Sequence, residues 1–138
     1  MRSRDRTVRA RNDLFGWMGA ILLLGILPIK LLRFEDHARG GFVIGVAPSL
    51  LGPAGLLFLL LSSTGRMSRL SLLQVTLIVA TFSVTLELMQ LLPRPRILAH
   101  IHYTFDYYDL AATVLSVVVA YAISARILRQ PRPVDGNG

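Results

Sequence analysis

The chain has 138 residues, 53% of them hydrophobic, and 15 basic residues stand against 8 acidic ones for a net charge of +7. That length suits one domain, but the apolar residues come in blocks with arginines at the block ends, the pattern of a membrane protein rather than a nucleic-acid binder. Cysteine is absent, which excludes disulfides, thiolate metal sites and cysteine nucleophiles.

Residues 1–12 carry Arg2, Arg4, Arg6, Arg9 and Arg11 with Asp5 among them. The stretch reads as a disordered basic tail that sets topology and touches anionic headgroups. No aromatic platform is interleaved with the arginines, so RNA or DNA binding is disfavoured. The first apolar block spans about 14–32, with Phe15 and Trp17 near its start, where interfacial aromatics are common. It is long enough to cross a bilayer and more spans follow, which argues against a cleaved signal peptide. The short loop after it holds Glu35, Asp36 and His37, three neighbours on a flexible connection that rarely make a metal site.

The second block spans about 41–61 and contains Pro48 and Pro53. Proline removes a backbone donor, yet membrane helices tolerate it because neighbours satisfy the freed groups. Gly41, Gly45 and Ser49 follow small-xxx-small spacing, so a bent helix packed closely on that face is expected. Serines, Gly65, Arg66 and Arg69 mark a turn. The third block spans about 70–92 and stops at Pro93, the fourth about 109–128, and 129–138 reads as a second disordered tail.

The expected fold is therefore all-α: a membrane domain over 13–128 built as an antiparallel bundle of four transmembrane helices, each near the ~20 residues a bilayer requires. An even number of spans puts both termini on one side. Ten basic residues lie in the two tails, the Arg66/Arg69 turn and the tail end of the fourth span (Arg126), against five (Lys30, Arg33, Arg39, Arg94 and Arg96) in the other two loops. This bias places both termini in the cytoplasm.

Two polar faces stand out. In the third span Thr76, Ser83, Glu87, Gln90 and Arg94 fall on one helical face; in the fourth, Asp109, Thr113 and Ser116 do. Helices joined by a short loop run antiparallel, so these faces can meet near the outer half of the membrane. Glu87 lies roughly 9 Å along the helix from Pro93, where an acid is protonated, paired with Arg94 or Arg96, or in contact with water. Arg94 can reach a carboxylate or a phosphate. Asp109 at a helix start can cap free N–H groups and complement the dipole. Thr113 and Ser116 can bond to the facing helix or to their own carbonyls. Polar residues joining two helices explain Asp109, Thr113 and Ser116 as well as a binding site does; an acid inside the membrane is by default a functional candidate.

These residues resemble the signature of the VanZ-like family of bacterial membrane proteins. Its members carry Glu-x-x-Gln, an arginine shortly after, a loop, and then Asp-x-x-x-Asn-x-x-Gly at the start of the last helix. Glu87 and Gln90 match the first pair, Arg94 or Arg96 the arginine, and Asp109 the aspartate. Thr113 stands at the Asn position and Ser116 at the Gly position. The resemblance covers about residues 70–125. It implies a bacterial cytoplasmic-membrane protein with a role in the cell envelope. The family's founding member is associated with resistance to the glycopeptide teicoplanin.

The leading expectation is thus an envelope protein that binds a lipid, lipid-linked or glycopeptide ligand at an outward-facing site of Glu87, Gln90, Arg94, Arg96, Asp109, Thr113 and Ser116. No cofactor and no nucleic acid are expected. A second reading uses Glu87 and Asp109 as acid and base on a lipid-linked substrate, with His100, His102 and Asp106 as a weaker metal variant; interfacial histidines beside Tyr103, Tyr107 and Tyr108 explain that loop as well. A pore would need polar residues along a whole helix, and the fourth span turns apolar after Ser116 until Tyr121 and Ser124. No Gly-x-Ser-x-Gly, phosphate loop or Gly-x-Gly-x-x-Gly is present, leaving the familiar hydrolase and nucleotide-binding classes without support.

Overall fold

The structure, a computed structural model, describes residues 2–35, 42–63, 69–89 and 107–129. They form four helices: α1 (Arg2–Glu35), α2 (Phe42–Ser62), α3 (Leu72–Met89) and α4 (Tyr107–Arg129). Each contains a stretch long and apolar enough to cross a membrane, with mean hydropathy from 1.6 to 1.9: Thr7–Ile29, Gly45–Ser62, Leu72–Met89 and Tyr107–Arg129. The four expected spans are therefore present, and the chain is a multi-pass membrane protein by length and composition.

Helix α1 begins well before the expected boundary. The arginine-rich stretch read as a tail continues the helix from Arg2. Arginine is a good helix former, and adding residues to an established helix is far easier than nucleating one. The expected tail at 129–138 lies beyond Arg129, outside the described residues.

A small core joins the helices. Phe15, Leu57, Phe58, Val75, Val79, Val117 and Ala120 are buried against one another. Phe15, near the start of the first span, is only 1% exposed and stacks on Phe58 with ring centroids 6.0 Å apart. Trp17, two residues on and so on another face of α1, is 70% exposed. The outward surface is strongly apolar: Ile21, Leu24 and Leu31 on α1 and Leu73 and Leu77 on α3 are all more than half exposed. A water-soluble monomer rarely shows so continuous an apolar surface, whereas lipid tails solvate it without cost. The inner face of α4 carries the buried hydroxyls of Thr113, Ser116 and Ser124, so polarity points inward.

Helix α2 is the hub and packs against all three others. Its seam with α1 is the tightest. A Cβ placed on Gly19 would lie 2.8 Å from both Gly55 O and Leu59 N, and one on Gly55 would lie 2.8 Å from Leu23 Cγ. The close approach expected at Gly45 does not occur, since nothing lies within 4 Å of a Cβ there; Gly41 is outside the described residues. The small residues that matter sit toward the other end of α2, where α1 supplies a matching glycine.

Helix ends are capped locally. Before α3, Ser71 N–H donates to Gln74 Oε1 (2.8 Å) and Gln74 N–H donates to Ser71 Oγ (3.2 Å). This reciprocal pair is a capping box and satisfies donors that the first helical turn leaves open. At the end of α2, Ser62 and Ser63 donate to Leu59 O and Leu60 O, both at 2.7 Å. Replacing Ser71 by alanine should lower stability by about 0.5–2 kcal/mol. Ser71→Asp should retain most of it in detergent unfolding, and equal losses for the two variants would show that the cap is not what Ser71 supplies.

Candidate functional site

The site begins with a missing proton on α2. Pro53 has no N–H, so the carbonyl of Ser49, one turn earlier, loses the donor that an uninterrupted helix provides. Within the membrane such a group needs another partner. Thr113 of α4 supplies it: its hydroxyl donates to Ser49 O at 3.3 Å. Thr113 is 1% exposed, so water is not the competing donor.

One turn along α4, Ser116 works on the next pair. Its Oγ accepts from Ala54 N–H at 3.1 Å and donates to Leu50 O. These are the donor and acceptor that a regular α-helix would pair directly. Two hydroxyls from α4 therefore reach α2 beside Pro53, each on a carbonyl within the turn that precedes it. Spacing explains why both reach it: Thr113 and Ser116 are three apart and share a face.

Helix α3 joins at the same point. Glu87 Oε1 lies 3.4 Å from Thr113 Oγ1, so the polar faces of α3 and α4 do meet, at Glu87 and Thr113. Glu87 is half-buried and sits two residues before the end of α3. Ser83, one turn earlier, is also buried, and so is Thr76; the Thr76 hydroxyl donates to Leu72 O of its own helix at 2.8 Å. Asp109 lies in the first turn of α4, one helical turn before Thr113, and its Oδ1 atom is buried.

Of the expected site residues, the structure brings together Glu87, Thr113 and Ser116, with Asp109 on the same face of α4. Gln90, Arg94 and Arg96, and the metal variant of His100, His102 and Asp106, lie outside the described residues. Among the described residues no three His, Cys, Asp or Glu side chains converge on a metal position. The partners that residue reading missed are Ser49, Leu50 and Ala54. The signal was Pro53: a proline in a membrane span announces a carbonyl that some other helix has to satisfy. No protein family, curated protein or solved structure that was compared with the chain matches it.

Proposed function

We propose that the chain is a VanZ-like integral protein of the bacterial cytoplasmic membrane that acts in the cell envelope. It binds a lipid, lipid-linked or glycopeptide ligand at an outward-facing site centred on Glu87, with teicoplanin-type resistance as the associated phenotype. In this reading the helices form an antiparallel bundle with both termini in the cytoplasm. The order of contacts between α1 and α2 supports it: Gly16 lies beside Ser62, Gly19 beside Leu59 and Gly55, and Gly25 beside Leu51, so one sequence rises as the other falls. The excess of arginine in the tails and the Arg66/Arg69 turn supports the orientation.

The observation that carries the ligand site is the contact of Glu87 with Thr113, which also bonds α2 one turn before Pro53. Keeping a carboxylate inside a bilayer costs about 2.5–3.5 kcal/mol at the centre of a helix, and such residues generally face a cavity, a partner or a substrate path. Thr113 and Ser116 anchor α2, whereas the Glu87 carboxyl group meets Thr113 from α3 and is a polar group that the packing of α2 does not require.

The test is the antibiotic susceptibility of strains carrying Glu87→Ala, across glycopeptides and other envelope-active drugs. The expected result is loss of the envelope phenotype with an unchanged amount of protein in the membrane. A Glu87→Ala strain that behaves as wild type would reduce the cluster to helix packing.

A further inference from the structure

We infer that the cleft between α1 and the end of α2 binds the headgroup of a primary-amine phospholipid, phosphatidylethanolamine, with the ammonium held by Asp13 and Ser62. Ser62 is 13 residues from Ser49, roughly 20 Å of helix, so the inference does not rest on the ligand proposed at Glu87.

The cleft exists because one helix outlasts the other. Helix α2 and its apolar span both end at Ser62, whereas α1 runs past that level to Arg2. Gly16 marks the crossing: a Cβ there would lie 3.5 Å from Ser62 Cβ and 3.6 Å from Ser62 Oγ. The next turn of α1 overhangs the end of α2, and the step leaves an open cleft of about 370 Å³ lined by Asn12, Asp13, Gly16, Trp17, Ala20 and Ser62. Gly16 and Ala20, one turn apart, give it a floor without bulky side chains. The apolar span of α2 stops here and an exposed tryptophan flanks the opening, which puts the cleft at the depth of lipid headgroups.

Its polar groups select a donor. Ser62 gives the one proton of its hydroxyl to Leu59 O at 2.7 Å, so toward a ligand it can only accept. The carboxylate of Asp13 also only accepts, and Asp13 is exposed. A free phosphate would meet two acceptors and a negative charge. A primary ammonium brings three N–H donors and a positive charge, and both groups suit it.

The surroundings say what the amine is attached to. A phosphate one step nearer the bilayer needs donors, and the indole N–H of Trp17, one turn inward from Asp13, and the amide of Asn12 are in the same cleft. Beyond Trp17 the exposed Ile21 and Leu24 continue along α1, an apolar strip for acyl chains. Amine, phosphate and chains are thus met in that order along one helix, which is their order in the lipid.

Trp17 is the only tryptophan, so its fluorescence reads this cleft alone. The full chain is reconstituted into phosphatidylcholine vesicles with a fixed minor fraction of one lipid whose acyl chains are brominated: phosphatidylethanolamine, phosphatidylcholine or phosphatidylglycerol. Bromine quenches tryptophan at short range. In wild type, quenching should report roughly three-fold enrichment of the ethanolamine lipid over the choline lipid, the scale of one exposed ion pair. The two lipids have the same net charge, so the N–H donors of the amine separate them and the overall charge of the protein does not. Asp13→Asn should bring them to parity, Ser62→Ala should lower the enrichment, and Asp13→Glu should keep it. Each variant is compared between lipids and is its own reference; if Asp13→Asn does not reconstitute, Ser62→Ala decides. Equal quenching by the two lipids in wild type, or an enrichment that survives Asp13→Asn, would overturn the inference. So would strongest quenching by the phosphatidylglycerol, since Arg9 and Arg11 would then choose the lipid and not the cleft. Ethanolamine added to the buffer at the same concentration as the lipid should leave the enrichment unchanged; its loss would put a soluble amine in the cleft and overturn the lipid assignment. No readout involves Glu87, so this proposal and the one above can fail separately.

Discussion

Thr113→Val should destabilise the protein by about 1.5 kcal/mol, and most of that loss should vanish when Pro53→Ala is present in the same chain. The magnitude follows from what the Ser49 carbonyl can do without Thr113. Hydrogen bonds between membrane helices average only about 0.6 kcal/mol, with a maximum near 1.7, because the separated helices usually find other partners. Ser49 O has no such fallback in its own helix, since Pro53 carries no N–H, and its replacement donor is fully buried. An unsatisfied buried acceptor costs about 1–3 kcal/mol, so the loss belongs near the upper end of the membrane range. Pro53→Ala puts an N–H back at position 53 and gives the carbonyl an intrahelical donor. Valine matches threonine in shape, so the substitution removes the hydroxyl with little change in volume. The measurement is a double-mutant cycle by denaturant unfolding in mixed micelles, where directly coupled residues show interaction energies of about 0.5–3 kcal/mol. Strictly additive losses would mean that Thr113 takes no part in completing α2.

Gly19→Ala should be the most damaging single-methyl change in the described part of the chain, while Gly45→Ala should be neutral or mildly stabilising. At Gly19 the new methyl would sit 2.8 Å from a carbonyl oxygen and from a backbone nitrogen of α2. Neither can rotate away, so the helices have to separate. Overpacking of this kind costs about 1–3 kcal/mol, and here it would also loosen the Phe15–Phe58 stack one turn away. At Gly45 a methyl meets nothing within 4 Å, leaving only the gain in helix propensity, about 0.8–1 kcal/mol at most. Unfolding midpoints of the two variants, measured side by side, test the contrast. Equal stability would show that α1 and α2 are not held at the distance described.

The four spans were legible because the property that reports them is local. Twenty apolar residues with arginines at their ends look the same whatever surrounds them. The polar faces of α3 and α4 were legible for a similar reason, since helical spacing alone puts Glu87 on one face and Thr113 and Ser116 on another. Which helices those faces touch is not local. The expected partner of Thr113 and Ser116 was α3 or their own backbone; Thr113 does meet Glu87 of α3, but both hydroxyls also reach α2, because Pro53 leaves a need there that spacing on α4 cannot reveal. Gly45 and Gly19 illustrate the same limit. Small-xxx-small spacing marks where a close approach is permitted, and only the neighbouring helix decides where one happens.

The bonds from α4 to the carbonyls before Pro53 also set an order of events during synthesis. Helix α2 enters the membrane before α4 has been made, and at that stage nothing from α4 can reach the Ser49 carbonyl. The glycine seam needs only α1 and α2, so that pair can dock as soon as both are in the bilayer. Completion of α2 then waits for the last helix to arrive. When α4 docks, the same hydroxyls that finish the backbone of α2 bring Thr113 up to Glu87, and the site comes into being at the final step of assembly.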